Sequence, residues 1–538
     1  MRISRFLLFL TLGVLLLPVV MVFAAWLQWD ERSIQVLSGM ATTVLPDYAW
    51  SSLWLCLWVL LGVVSVGSVT AVCVSLFEFR GRRWLEWALL LPLAMPAYVV
   101  AYAYTDFLQF AGPVQTWIRA QWGLQGRVLP EIRSLWGAAV VLSLSLYPYV
   151  YLLTRAALSE RATPLMEAAR MLGAPLYRRV LAVALPLARP AIAAGAALAL
   201  METLADYGVS SYFGVQTFST GIYKAWLVME DRIAAAQLAT VLLVTVLLVL
   251  GVERRAQSRM RFVSARSLDR PREAQPLRLR GGAQVLAQVM CLLPVLLGFL
   301  LPSGLLVAAL VTSADAVAWP WDRFFQWAWN SFRLGLVTAT LAVVVSLGLS
   351  YLTRGVRHGA MPLAVHLLGL GYAVPGAVIV VGLLLPLAWL QGQWPDFGLT
   401  AWVTTTSIGL IWAYLVRFVA VALQSIQSGY ARVPVSLDES ARLLGTTGTM
   451  LFIRVHGPLM QRSIAAAWLL VLVDVMKELP ATLVLRPFNT DTLAVMAFQL
   501  ARDERLGEAA LPSLALVLVG LLPVIMLSRM MRRESTAK

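Results

Sequence analysis

Uninterrupted apolar runs of about 20 residues, each long enough for a helix to cross a hydrocarbon core roughly 30 Å thick, recur along this 538-residue chain. They lie at about 6–27, 52–77, 87–108, 135–154, 188–207, 233–252, 286–311, 331–352, 362–390, 400–424, 463–483 and 511–528. Twelve runs predict twelve transmembrane helices, and the run at 362–390 is long enough to tilt or kink at Pro375. With 60% hydrophobic and 13% charged residues, the chain is excluded from the soluble globular class. The expected fold class is an all-α polytopic membrane protein.

Orientation follows from the basic residues. If the N-terminus is cytoplasmic, the even-numbered links and both tails hold most of the 43 Lys and Arg, which selects a topology with both termini in the cytoplasm. The net charge of +15 then reflects arginine-rich loops beside anionic lipid, and no nucleic-acid partner is expected. The apolar stretch after Met1 is longer than a signal-peptide core, so a retained first helix is expected. Residues 253–285, charged and rich in Arg, Ser, Pro and Gly, read as a cytoplasmic linker between halves at 1–252 and 286–538. Cys56, Cys73 and Cys291 fall in spans without CxxC spacing and read as small core residues.

The halves are marked by a repeat. "EAARMLGAPLYRRVLAVALP" (167–186) and "ESARLLGTTGTMLFIRVHGP" (439–458) lie 272 residues apart and share register without a gap. Glu167 matches Glu439, Ala168 matches Ser440, Ala169 matches Ala441 and Gly173 matches Gly445; Pro186 matches Pro458. Each copy predicts a short helix closed by a left-handed glycine. Thr163 and Pro164 suit the first helix start, and Ser436 with Glu439 fits a capping box at the second. Small residues after the glutamate let another surface come close. An interfacial helix lying on lipid is the plainer reading of one copy, but a duplicate at the same place in each half argues against it.

The pattern E-A-A, Gly six residues after Glu, and Pro thirteen further on resembles the EAA motif of permease subunits of ABC importers. The resemblance implies that each loop is a coupling helix docking on a separate cytoplasmic ATPase, with one copy of an ATPase homodimer per loop. It also implies two parallel six-helix repeats of the type I importer fold and a periplasmic substrate-binding protein. In the second copy Arg462 stands where the first has Pro190. No lysine (Lys224, Lys477, Lys538) lies in a phosphate-binding G-x-x-x-x-G-K-[ST] loop, so no cofactor is expected on this chain, and ATP and Mg belong to the partner. His358, His366 and His456 form no metal-binding spacing.

Intramembrane ionisable groups point to the substrate path. Glu202 and Asp206 share a helical face at i, i+4, as do Asp474 and Glu478 beside Lys477; Tyr98, Tyr102 and Asp106 line another, with Tyr104 off it. Oxygen donors suit a hard cation, although Asp474–Lys477 also reads as a structural pair. The stretches 91–113, 201–226 and 474–494 resemble the ferric-iron branch of these permeases. Related permeases carry thiamine, polyamines or inorganic anions, which remain alternatives. A secondary transporter with parallel repeats is the rival of another class; an intramembrane enzyme lacks any nucleophile–base constellation, and a scaffold would not need the duplicated loops.

Overall fold

The computed structural model describes residues 2–27, 31–159, 163–264, 277–313, 321–354, 365, 367–369, 371–431, 433–446 and 448–536. Among these, eleven helices are long and apolar enough to cross a membrane, and a twelfth candidate is a pair bent by 90°. The principal helices are α1 (Arg2–Ala24), α2 (Leu45–Leu76), α3 (Arg82–Ala88), α4 (Ala97–Leu108), α5 (Leu135–Ala157), α6 (Thr163–Met171), α7 (Leu176–Ala205), α8 (Gly208–Tyr212), α9 (Phe218–Leu227) and α10 (Arg232–Ser264). There follow α11 (Gly282–Thr312), α12 (Trp321–Thr353), α13 (Gly376–Gln393), α14 (Ile408–Tyr430), α15 (Val435–Leu443), α16 (Phe452–Lys477), α17 (Pro480–Leu485), α18 (Leu493–Arg502) and α19 (Leu506–Thr536).

Three spans differ from expectation for reasons of proline chemistry. The run at 87–108 is the bent pair: Met95 and Pro96 are extended, and α4 starts immediately after Pro96. Pro375 likewise ends one segment and starts α13, rather than kinking a single helix. The run at 188–207 begins earlier, at Leu176, and carries Pro186 inside it. Leu185 donates its N–H to the Val180 carbonyl in a π-turn, and Pro186 has no N–H to give to the next carbonyl. A π-turn at Phe452–His456 precedes Pro458 in the same register.

The chain forms two compact units. The first comprises Met1–Ser38, Ile222–Leu243 and Pro320–Met496; the second comprises Gly39–Gly221, Val244–Trp319 and Ala497–Lys538. These units cut across the sequence halves, because α1 is grouped with second-half helices and α11 and α19 with first-half ones.

In the first unit α12, α14 and α16 pack pairwise, and α1 lies along α13. The α1–α13 contact rests on Gly382, where any Cβ would run into the Pro18 carbonyl. Pro18 also leaves the Val14 carbonyl without its helical donor, and Trp412 Nε1–H supplies one at 3.0 Å. Thr240 Oγ1–H donates to the Val22 carbonyl near the end of α1 at 3.2 Å.

In the second unit α2, α5 and α7 form the corresponding trio, and α11 packs on α19. Lipid gives helices little hydrophobic reason to associate, so small residues that allow close contact matter. A Cβ on Gly195 would stand 2.6 Å from Val150 Cα. The charged segment expected to begin a linker at 253 continues helically to Ser264, and residues 265–276 lie outside the described residues. Its far end is docked: β1 (Phe77–Glu78) pairs in parallel with β2 (Leu277–Arg278), and Gln288 Nε2 donates to the Arg80 carbonyl.

Candidate functional site: two glycine-closed loops and two capped helix breaks

The repeated motif folds the same way twice. On α6, Glu167 and Ala168 are exposed and Ala169 is half-buried; on α15, Glu439 and Ser440 are exposed and Ala441 is half-buried. Gly173 takes φ +78° and Gly445 takes φ +81°, a region in which a side chain is strained. The returning chain then caps each helix end: Ala174 N–H donates to the Ala169 carbonyl at 3.0 Å, and Thr446 N–H to the Ala441 carbonyl at 2.9 Å.

The sequence reading missed the residues just before each glycine. Met171 and Leu172 are each 87% exposed, and Leu443 and Leu444 are 90% and 85% exposed. An apolar pair held on the outside of a polar loop costs free energy unless something covers it. The signal was present as M-L-G and L-L-G at matching positions.

The start of α15 departs from expectation. The helix begins at Val435, so Ser436 lies within its first turn and the Ser436–Glu439 capping box does not define the N-terminus. The buried acid is Asp438. Arg354 donates to it through Nε at 2.7 Å and Nη2 at 3.2 Å, and His456 Nε2 lies 2.9 Å from its Oδ1. Arg354 Nη2 also donates to the Val433 carbonyl at 2.9 Å, and the guanidinium stands 5.1 Å over the Tyr430 ring. Burial pushes the Asp438 carboxyl up, but hydrogen bonds from His456 and Arg354 outweigh it and hold the group below its ordinary value.

The acidic pairs at the ends of α7 and α16 also repeat in register, Glu202 with Asp474 and Asp206 with Glu478. Each helix breaks at the second carboxylate, which then serves the short helix beyond. Asp206 Oδ2 accepts the Ser210 N–H at 2.9 Å and its hydroxyl at 3.0 Å, and Oδ1 accepts the Val209 N–H at 3.4 Å. Glu478 accepts the Ala481 and Thr482 N–H groups at 2.9 and 3.0 Å and the Thr482 hydroxyl at 2.7 Å. Tyr414 hydrogen-bonds Thr482 at 2.7 Å, and Arg417 lies 3.6 Å from Glu478.

Tyr98 and Tyr102 are buried on α4 with rings 5.7 Å apart, and Tyr102 meets Tyr212 at 4.6 Å. A Cβ on Gly208 would meet Tyr98, so this aromatic cluster sits against the break that Asp206 caps. Asp106, on the same α4 stripe, is exposed, and Glu202 is half-buried. Tyr104 faces elsewhere, donating to the Leu297 carbonyl at 2.6 Å. In the first unit Asp474 supplies the opposite charge beside Lys477. Among the described residues no group of three or more His, Cys, Asp or Glu side chains could hold a metal ion; His358 and His366 lie outside them.

This architecture, eleven or twelve apolar spans among the described residues with two matching glycine-closed loops, defines a polytopic membrane protein. Residues 63–262 match the family described as binding-protein-dependent transport system inner membrane component. The chain is 26% identical over 484 residues to the Fe(3+)-transport system permease protein FbpB 2 of Haemophilus influenzae, covering 88% of this chain and 87% of that protein. It is 28% identical over 243 residues to the sulfate transport system permease protein CysT of Escherichia coli (44% and 82% covered). It is 23% identical over 202 residues to the putative molybdenum transport system permease protein YvgM of Bacillus subtilis (36% and 86% covered). The chain is a multi-pass inner-membrane permease subunit of an ABC importer.

Proposed function

We propose that this permease carries ferric iron, delivered by a periplasmic binding protein, and that it is driven by a separate ATPase dimer engaging α6 and α15. The observation that carries the coupling role is the pair of matching loops. Each presents an exposed Glu (Glu167, Glu439), small neighbours (Ala168, Ala169; Ser440, Ala441) and an exposed apolar pair, ended by Gly173 or Gly445. A partner cleft that buried Met171, Leu172, Leu443 and Leu444 would gain apolar contact and pair the glutamates with cationic or N–H groups. ATP and Mg would act on the partner chain. Closing the ATPase dimer would draw the loops together, favouring an outward-facing state, and hydrolysis would reverse it.

The iron assignment is supported by similarity running through both sequence halves to a protein named for Fe(3+) transport. It is further supported by phenol and carboxylate oxygens, the donors a hard trivalent cation prefers. In this reading Tyr98, Tyr102, Asp106, Glu202 and Asp474 line the path, while Asp206 and Glu478 shape it by holding the two helix breaks. An inorganic anion is the second reading, because shorter matches name sulfate and molybdenum systems and Arg417 and Lys477 lie within spans. The decisive experiment reconstitutes the permease with its ATPase in proteoliposomes. Hydrolysis and uptake are followed with binding protein carrying Fe3+, thiamine, an oxyanion or nothing. Stimulation confined to the Fe3+ form is expected; stimulation by another cargo removes iron and leaves the importer. Uptake driven by a proton gradient without ATPase would overturn both.

A further inference from the structure

Asp438 lies on the inner face of α15, 7% exposed at its side chain, where Arg354, only 11% exposed, and His456, fully buried, converge on it. Those partners come from different places: Arg354 directly follows α12, and His456 closes the π-turn at the start of α16. Arg354 also holds the Val433 and Pro434 carbonyls, which link α14 to α15. Tyr430, at the end of α14, lies 3.4 Å from His456 Nδ1 through its hydroxyl. One buried carboxylate therefore ties α15 to all three helices of the first unit's trio.

The other loop is built differently. At the 272-residue spacing, Asp438 corresponds to Met166, His456 to Ala184 and Tyr430 to Leu158. Met166 is buried and apolar and can form no ion pair. Aligning α2 with α12 on Ser52 and Ser331, which accept the Phe218 and Leu493 N–H groups, matches Arg354 to Ser75. Among the described residues the outer faces of the two loops repeat, and the Asp438–Arg354–His456 attachment has no counterpart at the matching positions.

We propose that the two loops are mechanically unequal: Asp438, clamped by Arg354 and His456, makes α15 the rigid transmission element, whereas α6 carries buried, apolar Met166 at the corresponding position. Motion received at α15 passes to α12, α14 and α16 as a body, because moving α15 alone would strand the buried Asp438 carboxylate and take its anionic partner from Arg354. At α6, the corresponding contact is that of apolar Met166, whose displacement strands no charge, so part of the motion is absorbed there. Asp438, Arg354 and His456 are thus positioning residues for coupling.

This inference rests on the proposed ATPase coupling, and one experiment separates the two. Wild type and Asp438→Asn, Arg354→Lys and Met166→Ala variants are reconstituted with the ATPase in proteoliposomes. For each, hydrolysis is measured without and with Fe3+-loaded binding protein, together with uptake per ATP and the thermal midpoint. Asp438→Asn is expected to lower the stimulated-to-basal ratio about tenfold, within the range by which single residues on a connecting network shift coupling. Arg354→Lys should fall between, and Met166→Ala should change the ratio less than about twofold. Exchanging the charges (Asp438→Arg with Arg354→Asp) should recover part of the ratio. Equal loss in Met166→Ala, or a ratio that falls only in step with the midpoint, overturns the inference. If Asp438→Asn does not assemble, Arg354→Lys and the exchange decide it by the same ratio. Wild type that shows no stimulation by any loaded binding protein would instead overturn the coupling reading itself.

Discussion

Asp206 and Ser210 form a closed unit in which one carboxylate oxygen accepts both the backbone N–H and the hydroxyl of the same serine, at 2.9 and 3.0 Å. The carboxylate's work is local, ending α7 and starting α8. Asp206→Ala should therefore cost about 1 kcal/mol or more of stability, the usual worth of a helix cap. Asp206→Asn, which keeps an acceptor, should cost less than half as much and keep most uptake. Thermal midpoints in detergent and uptake assays check both; uptake lost at a wild-type midpoint would show that the cargo itself needs the charge.

Glu478 occupies the same place in the other half but has Arg417 at 3.6 Å. Removing its charge leaves a guanidinium in low dielectric without that partner. Glu478→Gln should thus be the more damaging neutralisation, by about 1–3 kcal/mol. Replacing Arg417 and Glu478 together by Met and Gln should recover part of the loss. Equal midpoints for Glu478→Gln and Asp206→Asn would refute the comparison.

The exposed loop residues predict the opposite separation. Glu167→Ala with Glu439→Ala, or Leu443→Ser with Leu444→Ser, should leave the thermal midpoint within about 0.5 kcal/mol of wild type, as substitutions at exposed positions do. Each pair should weaken co-purification with the ATPase and disconnect hydrolysis from uptake. Wild-type uptake in the double glutamate variant would rule out the coupling role.

The Asp438 cluster has an acid limit with a defined sign. Its folded value is below that of an unfolded aspartate, about 3.9, because hydrogen bonds from His456 and Arg354 outweigh burial. The cluster's contribution is therefore present in full above about pH 4 and is lost as pH falls through the folded value. Hydrogen exchange along α15 should rise over that acid window in wild type and show no such transition in Asp438→Asn.

At Gly382 the prediction is steric. Any side chain meets the Pro18 carbonyl, so Gly382→Ala should force α1 off α13 and cost roughly 1–3 kcal/mol, as overpacking does. Gly392→Ala, where nothing lies within 4 Å, is the control and should be neutral or better.

What the sequence disclosed was what local chemistry decides. The glycine-closed loops were readable because a left-handed cap needs only residues within one turn of Gly173 or Gly445. The apolar runs were readable because each must satisfy its own backbone. Contacts between distant segments were not. Nothing in the order of residues links Arg354 to Asp438, so the carboxylate that holds α15 was passed over for a capping box at Ser436. The Asp206 and Glu478 positions were found, but as path residues, because i, i+4 spacing cannot tell whether a carboxylate faces a channel or its own backbone. The exposure of Met171 and Leu444 was likewise hidden in a chain where apolar residues are the rule.

The seating of α1 against α13 sets a schedule for biogenesis. Pro18 and Gly382 are 364 residues apart, which at roughly 5–20 residues per second is about 20–70 s of translation. After its synthesis α1 must spend that interval without the helix it fits, its Val14 carbonyl still lacking the Trp412 donor. Whatever shelters nascent spans during insertion has to hold this one until α13 arrives. A chain released early, before residue 382, would carry an orphan helix that quality-control proteases can recognise.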